Sequence, residues 1–335
     1  MGEFEVYLIA LALALVPVLF PGRRTFWLIA FPAFAAYIIV SRYSGFDTDV
    51  AKFAEWMKRD FSGFFALREM VYFTFSHGAY LLTKDDRLAF LLMDAFWMFI
   101  TVGALRLRFG NSSLQYAALA ILLLSFPILM GFQNFYRQHI AVAFIQLAYH
   151  AAPGRTLMPS TSFLFGIFSH NSAALTAPAI LLRSGFFKNT LMSYVMFFGM
   201  TAAAVIGLAL ISSGAVSALS KSNATTGLDM SFVYLAMFIV FFTYFLYTEK
   251  GNVVAAAKAS PACFSALFVT PGMIAFFADA PAERTAMTFL ILTIPDLVQS
   301  TARMGKWQRF LVLAGLFLMV SLPMIAFPNT RNFVM

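Results

Sequence analysis

Apolar runs close to the roughly 20 residues needed to cross a bilayer recur along the whole chain, and this repetition decides the fold class before any motif does. The strongest occupy residues 5–20, 26–41, 88–107, 113–132, 136–150, 189–211, 230–248, 262–278, 285–300 and 310–327. A β-barrel would show alternating segments of about ten residues instead, and those are absent. Only 11% of the residues are charged and 61% are hydrophobic, against about 25% charged in soluble proteins. The chain therefore reads as an all-α, polytopic integral membrane protein of about 10 to 12 crossing helices, with a re-entrant or broken helix pair among them. No polar tract is long enough to fold separately, so residues 1–335 form a single membrane domain.

Charge placement orients that domain. Glu3 and Glu5 precede the first run and Arg23 and Arg24 follow it, the reverse of a signal peptide's polarity, which predicts a retained helix with its N-terminus outward. Short cytoplasmic loops collect Lys and Arg. If residues 64–83 do not cross fully, and residues 157–183 enter and return as a helical hairpin with its tip at His170, the cytoplasmic loops carry Arg23, Arg24, Arg106, Arg108, Arg155, Arg183, Lys188, Lys250, Lys258, Arg303, Lys306 and Arg309 against one acid, Glu249. The same topology puts Arg137, His170, Arg284 and the polar segment 42–63 on the outer face. In that segment Val50, Phe53, Ala54 and Met57 form a stripe at helical spacing, predicting an amphipathic helix along the membrane surface. The basic residues are topology signals, so the pI near 9.6 does not point to a nucleic-acid partner. Cys263 is the only cysteine, which excludes an intrachain disulfide.

Candidate chemistry collects on the outer face. GFQNFYRQH surrounds Arg137 with Tyr136, Gln138 and further polar groups, more than an interfacial anchor needs; a guanidinium there presents a planar fork suited to phosphate oxygens. His170 lies in FSHNSAAL, a break within an apolar segment, where irregular backbone is tolerated if it lines a cavity. Asn171 and Ser172 suit the start of the next helix, whose N-terminus favours an anion. Asp47, Asp49 and Glu69 are carboxylates able to act as general base toward a sugar hydroxyl, and the residues alone do not choose among them. Glu283 and Arg284 open a late span; a local charge pair is the plainer reading, but a second outer cation can clamp a diphosphate together with Arg137. Asp94 and Asp296 lie within spans, where ionisable groups are expensive and either functional or paired with a neighbouring helix. His139 and His150 read as structural. No Walker loop, dinucleotide-binding glycine fingerprint, HExxH or GxSxG motif is present, which speaks against ATP-driven work and zinc hydrolysis. No cofactor and no metal are expected.

The order acidic outer segment, REM, FYRQHIAVAFIQLA, FSHNSAAL and AERTAMTFLIL resembles the EpsG-like branch of the Wzy-type bacterial polysaccharide polymerases over roughly residues 40–300. Arg137 with Gln138, His170 with Ser172, and Glu283 with Arg284 match the family's short motifs. The early aspartate corresponds to Asp47 or Asp49, and Glu69 stands where the family often has glutamate-proline, with Met70 replacing the proline. The resemblance implies a glycan polymerase in the bacterial inner membrane, with its active site facing the periplasm or exterior. An undecaprenyl-diphosphate-linked oligosaccharide is the implied donor, the lipid bilayer the medium, and a chain-length regulator an implied partner; His170 or a loop carboxylate would take the acceptor proton, with Arg137, Arg284, Gln138, Tyr136 and Asn171 binding substrate. Two other readings stay open: a glycosyltransferase using a polyprenyl-phosphate sugar, built on the DTD of Asp47, Thr48 and Asp49, and a flippase or transporter coupled through Asp94 and Asp296. An acyltransferase built on His170 is weaker.

Overall fold

A computed structural model describes residues 2–45, 48–59, 69–151, 157–185, 190–212, 230–276 and 279–326. Among these residues there are helices and no strands. Helices α1 (Glu3–Leu19) and α2 (Arg23–Ser44) pack side by side, α2 starting with a π turn at Phe26–Ala30. A short α3 (Thr48–Met57) and α4 (Met70–Thr83) follow. The long α5 (Asp86–Phe109) starts where the Asp85 carboxylate accepts the Leu88 N–H and ends at Gly110, whose φ of 62° suits glycine. Arg106 and Arg108 occupy its last turn, where cations oppose the helix dipole.

The bundle centre is the run Leu114–Gln133, expected as one span and found as α6 (Leu114–Leu123) and α7 (Phe126–Gln133) bent by 50°. The sequence SFP explains the break. Pro127 lacks the N–H that would continue α6, and the Ser125 hydroxyl turns back to the Leu122 carbonyl at 2.7 Å. Residues 117–134 are all buried, which places this run at the centre of the bundle. Around this centre lie α8 (Tyr136–His150), α9 (Leu157–Ser169) and, after a 3₁₀ turn at Asn171–Thr176, α10 (Ala177–Ser184). Gly166 lets α9 close on α8, since a Cβ there would meet Ile145 Cδ1 at 2.8 Å. Then come α11 (Thr190–Ser212), α12 (Met230–Thr248), the 98°-bent pair α13 (Val253–Ala259) and α14 (Pro261–Phe276), α15 (Asp279–Ser300) and α16 (Lys306–Ser321).

Among the described residues four helical stretches are long and apolar enough to cross a bilayer, or up to six if each bent pair is one span. Large apolar side chains such as Leu82, Phe99 and Leu28 stand 73–80% exposed, a surface that fits lipid rather than water. The chain is thus an all-α, multi-pass membrane protein in build. Two expectations need correcting. The stripe Val50, Phe53, Ala54 and Met57 of α3 is buried against the protein, with Phe53 on Tyr72 of α4 (5.9 Å between ring centroids), so it does not face lipid. Arg42 belongs not to an outer polar segment but to the last turn of α2, where it turns inward and is 2% exposed.

Candidate functional site

Three residues far apart in sequence meet at one end of the bundle. Glu69, buried at the start of α4, pairs through one carboxylate oxygen with the Arg137 guanidinium, and its other oxygen lies 3.8 Å from His170 Nε2. Each partner is placed by its own segment. Arg137 occupies the first turn of α8 and stacks its guanidinium over Phe53 and Trp56 of α3, 5.1 and 5.5 Å from the ring centroids. His170 ends α9 in an extended conformation (φ −162°, ψ 125°) and caps the following 3₁₀ turn, its Nδ1 taking the Ser172 backbone N–H at 3.3 Å and lying 2.7 Å from the Ser172 hydroxyl. An N–H donor on Nδ1 assigns the neutral ring's proton to Nε2, the nitrogen that faces Glu69.

Arg284, in the second turn of α15, stacks on the Phe135 ring at 4.0 Å. Gln138 ties α8 to α15, donating to the Arg284 carbonyl at 2.8 Å and the Thr288 hydroxyl at 2.9 Å. Its amide thereby positions α8 on α15, and the side chain is 6% exposed. Tyr136 is likewise support. It is fully buried and its hydroxyl donates to Asp94 Oδ1 at 2.7 Å. Asn171 is half-buried at the first position of the 3₁₀ turn, beside His170. Asp47 lies outside the described residues, as does the side chain of Asp49.

Beneath the site Asp94 is held by Arg42, Tyr136 and the Trp97 indole. Arg42 is the functional-end residue the sequence reading missed; the one signal was a cation at the end of an apolar span, which is ordinarily a snorkelling anchor. Among the described residues no three His, Cys, Asp or Glu side chains gather to hold a metal. An apolar groove of about 490 Å³ starts at Met70, next to Glu69, and runs along Thr74, Gly78 and Leu82 to Leu92 and Phe165.

Chemically, the arrangement offers a carboxyl group, an imidazole and two guanidiniums at one end of the bundle. It can accept a proton and stabilise an anion. Comparison with protein-family models, curated proteins and solved structures found no match to this chain.

Proposed function

We propose that this chain is a membrane glycosyltransferase of the polysaccharide-polymerase type, joining undecaprenyl-diphosphate-linked repeat units at the outer face of the bacterial inner membrane. The observation that carries the reading is the meeting of Glu69, Arg137 and His170, three residues of the motifs that resemble the EpsG-like polymerases. In this reading the acceptor hydroxyl oxygen attacks the anomeric carbon, the bond from that carbon to the diphosphate oxygen breaks, and undecaprenyl diphosphate departs. The acceptor's proton passes to Glu69. Arg137 exchanges its contact with Glu69 for the departing diphosphate, so donor binding frees the base as it secures the leaving group. Arg284 adds a second cation, and His170 Nε2–H steadies the carboxylate. The groove beginning at Met70 is apolar, as a polyprenyl chain requires.

The transporter reading gains no support, because Asp94 and Asp296 are each engaged by arginine and hydroxyl partners and are poorly suited to a coupling role. The test is reconstitution of purified protein with its lipid-linked repeat unit alone. A ladder of lengthened glycans is expected from the wild type, reduced by about 10²-fold or more in Glu69→Gln and Arg137→Ala. An authenticated substrate that yields no ladder, or folded variants that keep full activity, would defeat the proposal.

A further inference from the structure

At the opposite end of the same helices lies a second polar cluster that the reaction above does not use. Helices α8 and α15 run parallel: Gln138 meets Arg284 at one end, and Tyr149 meets Asp296 at the other. Arg137 to Tyr149 and Arg284 to Asp296 are each twelve residues, so the two clusters stand about 18 Å apart along the helix axes.

Asp296 is fully engaged. Its Oδ1 takes Arg108 Nη2 at 2.7 Å and Arg183 Nη1 at 3.3 Å, and its Oδ2 takes the Tyr149 hydroxyl at 2.6 Å and the Ser260 hydroxyl at 2.7 Å. A carboxylate has about four acceptor sites, so it can serve no further donor. Two guanidiniums against one carboxylate leave a positive charge over. Donors are also left over: Arg108 Nε is buried without a hydrogen-bond partner among the described residues, and so is His150 Nε2. The Arg108 guanidinium faces His150 Nδ1 at 3.4 Å; acceptance there leaves the ring proton on Nε2, so that atom too is a donor. The sequence has no Asp or Glu between Asp94 and Asp229, and Glu249, which lines the adjoining cleft, is paired with Arg303 Nη1 at 3.4 Å. Among the described residues the cluster thus lacks a further anionic acceptor, and buried donors and charges ordinarily have one.

We infer that the Arg108–Arg183 cluster is a second ligand site, binding a phosphate oxyanion at the membrane face opposite Glu69. The guanidinium fork matches phosphate geometry, and the Arg183 side chain, 22% exposed, opens the cluster to the surface while that of Arg108 is 4% exposed. A cleft of about 660 Å³ lined by Asp296, Tyr244, Ser300 and Arg303 adjoins it. The phosphate can come from an anionic lipid headgroup or from free phosphate, and the test separates the two.

Full-length protein in maltoside micelles, which carry no phosphate, is titrated with phosphatidylglycerol and, separately, with inorganic phosphate at constant ionic strength, with retained adducts counted by native mass spectrometry. A saturable adduct is expected for the wild type. It weakens about ten-fold in Arg183→Gln, the loss of one charge-assisted hydrogen bond, and is unchanged in Arg59→Gln. An adduct with phosphatidylglycerol alone assigns the lipid headgroup, and one with inorganic phosphate assigns the free anion. Where Arg183→Gln does not fold, Arg183→Lys keeps the charge without the fork and must also weaken the adduct. No saturable adduct with either probe, or equal affinity in the folded variant, overturns the inference.

Discussion

Arg42 and Asp94 form a two-point ion pair inside the bundle, Nε to Oδ2 at 2.8 Å and Nη2 to Oδ1 at 3.0 Å, with both side chains at most 3% exposed. The pair fastens the end of α2 to α5, and the Phe132 ring lies 3.7 Å from the guanidinium. Arg42→Ala strands a buried carboxylate and is expected to cost about 3–5 kcal/mol, whereas Arg42→Met with Asp94→Leu and Tyr136→Phe removes both charges and the main remaining donor and regains part of that. Thermal unfolding in detergent of the single and triple variants checks it. A triple variant as unstable as the single one would contradict the assignment.

Lys58 and Asp86 make the contrasting pair, at 2.8 Å with the lysine side chain 44% exposed. The hydrogen bond to Asp86 holds the Lys58 ammonium above its ordinary pKa. A raised lysine stabilises the fold below its unfolded pKa and loses that contribution as pH rises through the folded value. Solvent screening limits the contribution to less than about 1 kcal/mol. Lys58→Ala is therefore expected to lower the unfolding midpoint slightly at neutral pH, with the difference from wild type vanishing in strong alkali. A difference that grew with pH would assign the lysine another role.

Gly131 makes a sharper steric prediction. A Cβ there would sit 2.8 Å from His139 Nδ1, and His139 is itself wedged edge-on against Trp97 at 4.2 Å between centroids. Gly131→Ala is expected to destabilise by about 1–3 kcal/mol, the usual cost of overpacking. Adding His139→Ala relieves the clash, so a double-mutant cycle should return a favourable coupling. Additive losses would show that the strain lies elsewhere.

What the sequence made legible followed from composition and local pattern. Helicity, the membrane setting and the break at His170 all rest on apolar length and on punctuating residues. Glu69, Arg137 and His170 were legible as types out of place in apolar surroundings. Their meeting was not, because 68 residues separate Glu69 from Arg137 in the chain and no periodicity encodes a contact at that range. The bonds of Gln138 to α15 and of Tyr136 to Asp94 were not legible either, because polarity beside an arginine looks the same whether it faces a ligand or a neighbouring helix. The inward turn of Arg42 depends on Asp94, 52 residues later. The bend at Ser125 carried a visible signal, the proline two residues on, that the apolar run outweighed.

The last prediction separates charge from geometry at the Glu69 site. Arg137 is a quarter exposed at its side chain and stacks on Phe53 and Trp56, so the pair with Glu69 is only partly desolvated. Glu69→Gln is therefore expected to cost no more than about 1–2 kcal/mol of stability, well under a fully buried pair. Under the proposed reaction it removes the proton acceptor and lowers turnover about 10²- to 10⁴-fold. Arg137→Lys keeps the cation but loses the planar fork that holds both carboxylate and phosphate. It should retain the fold, bind donor more weakly and keep a measurable fraction of turnover that Arg137→Ala lacks. Measuring unfolding midpoints beside glycan ladders for the three variants decides the matter: a ladder lost only in proportion to stability would make Glu69 and Arg137 a structural pair, and a ladder lost from a stable Glu69→Gln protein would make the carboxylate a participant in the chemistry.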